Sequence, residues 1–260
     1  MPSVGDKRQL RENREYGRDG IFGILTPQAN PTVEAELDIL LPPGCVTVTA
    51  RLTSTAPSLR DRLVAYLENI SATVANFGDL GLDAIGFACT GSSYLTDALD
   101  ERRIIQPLEE ARNCAIVTAA QAVKDACRSL GARRVALISP YPEWLTAACH
   151  AHWERNGLIV TAVLQLPTSA GEKHGIYALT TPSVLSAARQ FPSGNADAIL
   201  VTGTGMPSLR IILELEKERA IPVLSSNLCL AWSLTRKNAV PTVGSESRLY
   251  GGWQERLMRT

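Results

Sequence analysis

Asp83-Ala-Ile-Gly-Phe-Ala-Cys-Thr-Gly-Ser-Ser-Tyr-Leu95 and Asp197-Ala-Ile-Leu-Val-Thr-Gly-Thr-Gly-Met-Pro-Ser-Leu209 align without a gap at an offset of 114, with six identities in thirteen positions. Each has an acidic residue, a short apolar run and a cluster of small polar residues. That is the pattern of a buried strand ending in a tight turn before a helix. A second pair of segments repeats at nearly the same distance. Thr26-Pro27 closes Ile21-Phe-Gly-Ile-Leu25 as Ser139-Pro140 closes Val135-Ala-Leu-Ile138, at an offset of 113. A nearly constant spacing across separate segments indicates duplication of one α/β unit.

On either side of these segments the chain alternates short apolar runs with helical patterns. Strands are expected at 21–26, 46–52, 84–88, 135–138, 158–164, 198–201 and 222–224. Helices are expected at 32–40, 59–78, 111–130 with Gly131 as the C-cap, 141–156, 182–190 and 208–219. Strands separated by helices of this length form parallel sheets with helices on both faces. The expected fold class is therefore α/β, with two pseudo-symmetric domains, each a short parallel sheet flanked by helices. Residues 1–19 read as a charged arm. Residues 20–130 together with a returning segment 228–260 make the N-terminal half, and 131–227 the C-terminal half.

Composition narrows the function classes. The 260 residues carry 26 basic and 26 acidic side chains, and 45% are hydrophobic but only 5% aromatic. Zero net charge argues against a nucleic-acid groove or an anionic membrane surface, since both need concentrated basic charge. The longest apolar runs are strand-sized and far short of a membrane span. The N-terminus has no apolar signal region, so a cytoplasmic location is expected. None of the six cysteines (45, 89, 114, 127, 149, 229) lies in a C-x-x-C pair, so the usual zinc and redox signatures are missing.

Ligands of open parallel sheets bind at the carboxyl ends of the strands. Four polar clusters lie at such ends: 27–30, 89–93, 139–141 and 202–205. Cys89 follows a strand and opens a turn, where backbone N–H groups stabilise a thiolate or bind a carboxylate. Thr90, Ser92 and Ser93 add hydroxyls, and Gly91 allows close backbone approach. Asn30 and Tyr141 sit in two of the other turns and face the same cleft, or else order those turns through backbone hydrogen bonds. The stretch Gly203-Thr-Gly-Met-Pro-Ser208 resembles a dinucleotide fingerprint, but Ser replaces the last Gly and the motif sits late in the chain. An anion-binding turn is the better reading. His150 and His152 point to different helix faces, and His174 lies in a loop, so no metal centre or triad is indicated. The run Glu214–Glu218 reads as a solvated helix face.

Together these features resemble the aspartate/glutamate racemase superfamily, in particular the branch of maleate cis-trans isomerase and arylmalonate decarboxylase. The residues that carry the resemblance are Asn30 in Asn-Pro-Thr-Val-Glu34, the strand from Asp83 into Cys89-Thr-Gly-Ser92, Ser139-Pro-Tyr141, and the strand from Asp197 into the 202–205 loop. The resemblance implies a site between two pseudo-symmetric domains, no metal, no organic cofactor and a homo-oligomer. Racemases of this superfamily use one cysteine from each half. Cys89 matches the first, but Gly203 stands where the second is expected. Two-base racemisation is thereby disfavoured, because it needs an acid and a base on opposite faces of one carbon. Arylmalonate decarboxylase has a single cysteine in the second half, the mirror of this arrangement. The implied site therefore has Cys89 as the catalytic thiol. Asn30, Thr90, Gly91, Ser92, Tyr141, Thr202, Gly203 and Thr204 surround a small carboxylate substrate. The expected reaction is cis-trans isomerisation of a small unsaturated diacid. The alternatives are decarboxylation of a substituted malonate, amino-acid racemisation, and carboxylate binding without catalysis.

Overall fold

The computed structural model describes residues 14–167, 175–240, 249 and 251–260. Most of the 1–19 arm and His174 lie outside the described residues. The first half contains β1 (Gly20–Pro27), α1 (Thr32–Leu40), β2 (Cys45–Leu52), α2 (Leu59–Glu68), α3 (Ile70–Ala75), β3 (Ala84–Phe87), α4 (Thr90–Tyr94), α5 (Ala98–Arg112), β4 (Ala115–Thr118) and α6 (Ala119–Ser129). The second contains β5 (Arg134–Ser139), α7 (Glu143–Arg155), β6 (Ile159–Gln165), a 3-10 turn (Gly175–Ala178), α8 (Thr181–Gln190), β7 (Ala198–Val201), α9 (Leu209–Glu218) and β8 (Val223–Ser225). Helices α10 (Ser226–Lys237) and α11 (Trp253–Leu257) follow.

The strands form two four-stranded sheets, ordered β2-β1-β3-β4 and β6-β5-β7-β8, and every strand pair is parallel. The expected α/β duplication is present down to its register. Phe22 pairs with Ala84 in one sheet and Val135 with Ala198 in the other, which preserves the offsets of 113 and 114. The aspartate that opens each repeat has the same role. Asp83 Oδ2 accepts from the Ile21 amide at 2.8 Å, and Asp197 Oδ2 accepts from the equivalent Arg134 amide at 2.8 Å. Beyond the strands, the Ala88 amide donates to Leu25 O at 2.8 Å and the Thr202 amide to Ile138 O at 2.9 Å. Cys89 and Gly203 therefore occupy equivalent positions, each one residue past an identical strand end.

Two expected helices differ from the structure. The single helix expected over 111–130 is the end of α5, the strand β4 and then α6. Asn113 turns left-handed (φ 48°) to stop α5, and the Thr118 hydroxyl caps α6 by accepting from the Gln121 amide. The buried run Ala115-Ile-Val-Thr118 is as apolar as a helix stripe, and its flanking alanines hide the change of period. The helix expected over 59–78 breaks at Asn69 into α2 and α3. The expected C-cap at Gly131 is present, with φ +68° and the Ala132 amide donating back to Cys127 O at 2.9 Å.

The chain connects the halves through equivalent elements. Helix α6 follows β4, the outer strand of the first sheet, and α10 follows β8, that of the second. These two helices pack against each other, and α10 also rests on α1, β3 and β4. A buried carboxylate ties α1 to the second half. Glu36 accepts from the backbone amides of Ser208 and Leu209 at the start of α9, from the Ser208 hydroxyl at 2.8 Å, and from Asn227 Nδ2 at 2.8 Å.

Candidate active site

The carboxyl ends of β1, β3, β5 and β7 converge on one cavity of about 560 Å³. All four expected polar clusters contribute to its wall through Gln28 and Asn30, Cys89 to Gly91, Pro140 and Tyr141, and Thr204 and Gly205. Its size falls within the range of pockets that hold drug-sized ligands.

Cys89 lies at the floor, 4% exposed, and is the one cysteine among the described residues that lines the cavity. Its Sγ is 3.3 Å from Ser92 Oγ. Burial pushes the thiol above its ordinary value, while the Ser92 hydroxyl and the amides of Ser92 and Gly91 pull the other way. Burial thus opposes the thiolate that the sequence-based expectation places at this turn. The physical reason is local: α4 has only five residues, so few aligned peptides oppose the loss of solvation. Ser92 Oγ also donates its one proton to Leu63 O at 2.6 Å, and can offer it to the sulfur only by releasing that carbonyl. Cys127 and Cys149, buried without access to the cavity, are raised to about 12.

Thr90 Oγ1 and Tyr141 Oη are 2.9 Å apart and join the first-half turn to the second. Two hydroxyls sharing one hydrogen bond leave one O–H available to another acceptor. Burial pushes the Tyr141 phenol well above its usual range, so it is a proton-bearing donor. Asn30 serves both readings given to it. Its Oδ1 accepts from the amides of Thr32 and Val33 at the start of α1, and its Nδ2 lies 3.3 Å from Thr204 Oγ1. Thr204 Oγ1 in turn donates to Ala88 O at 2.9 Å, one residue before Cys89.

Three of the expected contact residues are placed differently. Thr202 is fully buried, and its hydroxyl turns back to Ile138 O at 3.2 Å, so it does not line the cavity. Ser92 is also fully buried and contacts the thiol instead of the open space. Gly203 is absent from the lining as well. Its φ is +87°, and a Cβ there would lie 3.0 Å from Tyr141 Oη and 3.3 Å from both Ile176 Cδ1 and Pro140 Cγ. Gly91 does line the cavity, but a Cβ on it would also press on Leu63 at 3.0 Å, so packing against α2 requires its small size too.

Several cavity residues were missed in the sequence. Leu59, Arg62, Leu63 and Tyr66 of α2 form one helical face at i, i+3, i+4 and i+7 that lines one wall. An arginine inside the apolar stripe of a helix was the signal available. Trp144 stands at the start of α7 with the Arg60 guanidinium 5.2 Å from its ring centre, and Ile176 and Tyr177 come from the 3-10 turn. Among the described residues, no three His, Cys, Asp or Glu side chains form a cluster that could hold a metal, and no helix is long and apolar enough to cross a membrane.

The chain is similar to known proteins in sequence and in fold. The family profile described as arylmalonate decarboxylase (Amdase) matches residues 22–250. A curated maleate isomerase of Nocardia farcinica is 26% identical over 232 residues, covering 85% of this chain and 90% of its own length. The crystal structure of maleate isomerase Iso from Pseudomonas putida S16 superposes with a TM-score of 0.79 at 23% identity, covering 86% of this chain and 94% of that one. A cysteine-to-serine mutant of the Nocardia farcinica maleate cis-trans isomerase, solved with a covalently bound succinylcysteine intermediate, gives a TM-score of 0.73 at 24% identity, covering 85% of this chain and 94% of that one.

Proposed function

The chain belongs to the arylmalonate decarboxylase family, and we propose that it is a cofactor-independent cysteine enzyme acting at the carbon next to a carboxylate, with cis-trans isomerisation of a small unsaturated diacid as its reaction. The observation that carries this reading is the placement of Cys89 in the cavity wall beside the hydroxyls of Thr90 and Tyr141. The similarity to maleate isomerases supports it, as does the succinylcysteine intermediate in a protein of the same fold.

The proposed steps balance without a cofactor. Among the described residues no carboxylate or imidazole is bonded to the Cys89 thiol, so its proton passes to the diacid's own carboxylate. The sulfur then bonds to one olefinic carbon, and the π electrons move onto the neighbouring carbon and its carboxylate as an enediolate. The former double bond turns as a single bond. Return of the electron pair expels the thiolate, which takes back its proton and leaves the trans diacid. Negative charge grows on the carboxylate oxygens of the enediolate, where the Thr90 and Tyr141 hydroxyl pair donates. Asn30 and Thr204 line the cavity around the rest of the substrate, and Gly91 leaves it room.

Decarboxylation of a substituted malonate is the second reading. It is favoured by a cavity with room to spare for a four-carbon acid and by walls built from Leu59, Leu63, Trp144 and Ile176. Loss of CO2 leaves an enediolate of the monoacid with no bond to sulfur, and the protonated Cys89 supplies its carbon with a proton. Because the thiol is on the face opposite to that of the known decarboxylase, the product of this enzyme should have the opposite hand. Racemisation lacks its second base at position 203. The reading also includes a cytoplasmic homo-oligomer that binds neither nucleic acid nor membrane, with 20–130 plus 228–260 and 131–227 as its two halves. Light scattering of the purified protein measures the oligomeric state.

The test is turnover of maleate, followed by NMR, and of aryl- and alkylmalonates, followed by CO2 release and chiral chromatography, for the wild type and Cys89→Ser. The substitution should lower turnover by roughly 10²- to 10⁴-fold or more. Undiminished turnover in Cys89→Ser would overturn the mechanism. A purely carboxylate-binding protein would turn over none of the panel, yet dicarboxylates would still protect Cys89 from iodoacetamide.

A further inference from the structure

Arg62 brings a charge into a cavity wall that is otherwise neutral except for Glu143, which is exposed at the rim. It is half-buried on α2, and its Nη1 donates to Pro57 O at 3.0 Å and Ala56 O at 3.3 Å. Some arginines of the molecule pair with carboxylates, as Arg51 does with Glu34 and Arg189 with Glu218, whereas Arg219 and Arg256 donate to backbone carbonyls as Arg62 does. Among the described residues no Asp or Glu lies within 4.0 Å of Arg62, and only its Nη1 donates to an acceptor. What distinguishes Arg62 is its place in the cavity wall, with further N–H donors to offer an anion there. Arg62 lines the same cavity as Cys89, Leu63 and Tyr66 adjoin it on one face of α2, and the cavity of about 560 Å³ has room beyond a four-carbon acid.

We propose that Arg62 determines specificity by binding a carboxylate carried on an apolar arm of the substrate, so that the substrate class is an arm-substituted diacid and not a bare four-carbon acid. This rests on the reading of Cys89 as the reacting group. The reacting carbon and its carboxylate sit over Cys89, Thr90 and Tyr141. The arm lies along Leu63 and Tyr66, and its terminal carboxylate meets the donors of Arg62 that face the cavity. The planar fork of the guanidinium suits a carboxylate better than a lysine does.

The experiment compares 2-(carboxyalkyl)maleates bearing arms of one to three methylene groups, each against the same compound with the arm acid converted to its amide. The wild type should favour the acid over the amide in kcat/KM by roughly ten- to hundred-fold, the range of a charge-assisted hydrogen bond. Arg62→Gln should abolish that ratio, chiefly through KM, and Arg62→Lys should recover part of it. A ratio unchanged in Arg62→Gln, or a wild type that treats acid and amide alike, overturns the proposal. Protection of Cys89 from iodoacetamide by the same pairs gives a readout that needs no turnover. Arm-dependent protection lost in Arg62→Gln, in a protein that isomerises none of the compounds, would support Arg62 and refute the reaction. Turnover of maleate with no arm preference would do the reverse.

Discussion

Placing a side chain at Gly203 should destabilise the protein by a calculable amount. The backbone there has φ +87°, in the half of conformational space that L residues avoid, at a cost of roughly 1–2 kcal/mol. The new Cβ would meet three neighbours. Tyr141 Oη at 3.0 Å is the tightest, and that hydroxyl is held by Thr90 at 2.9 Å, so it cannot give way freely. Crowding of this kind adds about 1–2 kcal/mol. The sum for Gly203→Ala or Gly203→Cys is about 2–4 kcal/mol. For a chain near this length, each kcal/mol moves the melting temperature by roughly 2–4 °C, so calorimetry should show a drop of about 4–16 °C. Tyr141→Phe added to Gly203→Cys separates the two causes, because it relieves the oxygen contact but leaves the backbone strain. It should recover less than half of the loss. Melting within about 1 °C of wild type for both single variants would refute the reasoning, since it would mean that the turn accepts a side chain without strain and that glycine there is incidental.

Other outcomes follow from buried ionisable groups. Burial raises the Glu36 carboxyl above its ordinary 4.5 despite its hydrogen bonds, so its contribution to stability is fully present below about pH 4.5 and is lost as pH rises through the folded value. Denaturant titrations of Glu36→Gln should therefore gain on the wild type as pH rises above about 4.5, whereas Glu36→Ala, which orphans the Ser208 and Leu209 amides, should lose about 2–4 kcal/mol at low pH. His152, packed between Tyr94 and Trp153, is lowered from 6.5 to about 4 by burial and then by the nearby Arg155 and Lys124 charges. The unfolded chain takes up that proton first, so at most roughly 3 kcal/mol of stability should be lost as pH falls from 6.5 to 4, and His152→Phe should flatten that slope. Iodoacetamide labelling of Cys89 should accelerate with pH up to and beyond 9 in the empty enzyme, because burial raises its thiol; a plateau near neutrality would contradict this.

The legible parts of the molecule are those in which local sequence and tertiary role coincide. The two Asp-Ala-Ile strands are buried on both faces, so their apolar runs and the aspartates anchoring them read directly, and with them the duplication, the parallel sheets and the turn that holds Cys89. Helix α5 was not legible, since only Ile105 along it is fully buried and its apolar stripe of Ile104, Ile105 and Leu108 is short and interrupted by Pro107. β4 was hidden among alanines that suit either period. In the cavity, turn residues were read because Gly, Asn and small hydroxyls mark strand ends. Arg62, Tyr66, Trp144 and Tyr177 come from helices and a 3-10 turn whose orientation depends on how α2 and α7 pack over the cleft. Thr202 shows the opposite failure. It sits in the right turn, but its hydroxyl points inward to Ile138, a matter of one rotation that sequence does not encode.

The duplication supplies two equivalent turns, and the molecule uses them unequally. At the first, the extended backbone of Cys89 (φ −145°) suits an L residue and aims sulfur into the cavity. At the second, Gly203 takes a left-handed φ, and the space beside it is filled by Tyr141, Ile176 and Pro140. A proton cannot be taken by a thiol on one face and returned by a thiol on the other in such a cleft. Addition and elimination, or protonation after loss of CO2, need only one. The second turn instead positions the first. Thr204, one residue past the glycine, donates to Ala88 O and accepts from Asn30, so the glycine turn sets the height of the strand end that carries Cys89. With glycine at position 203 the second turn has a structural task, and strain introduced there should reach the Cys89 thiol through Thr204 and Ala88 before any new chemistry appears at position 203 itself.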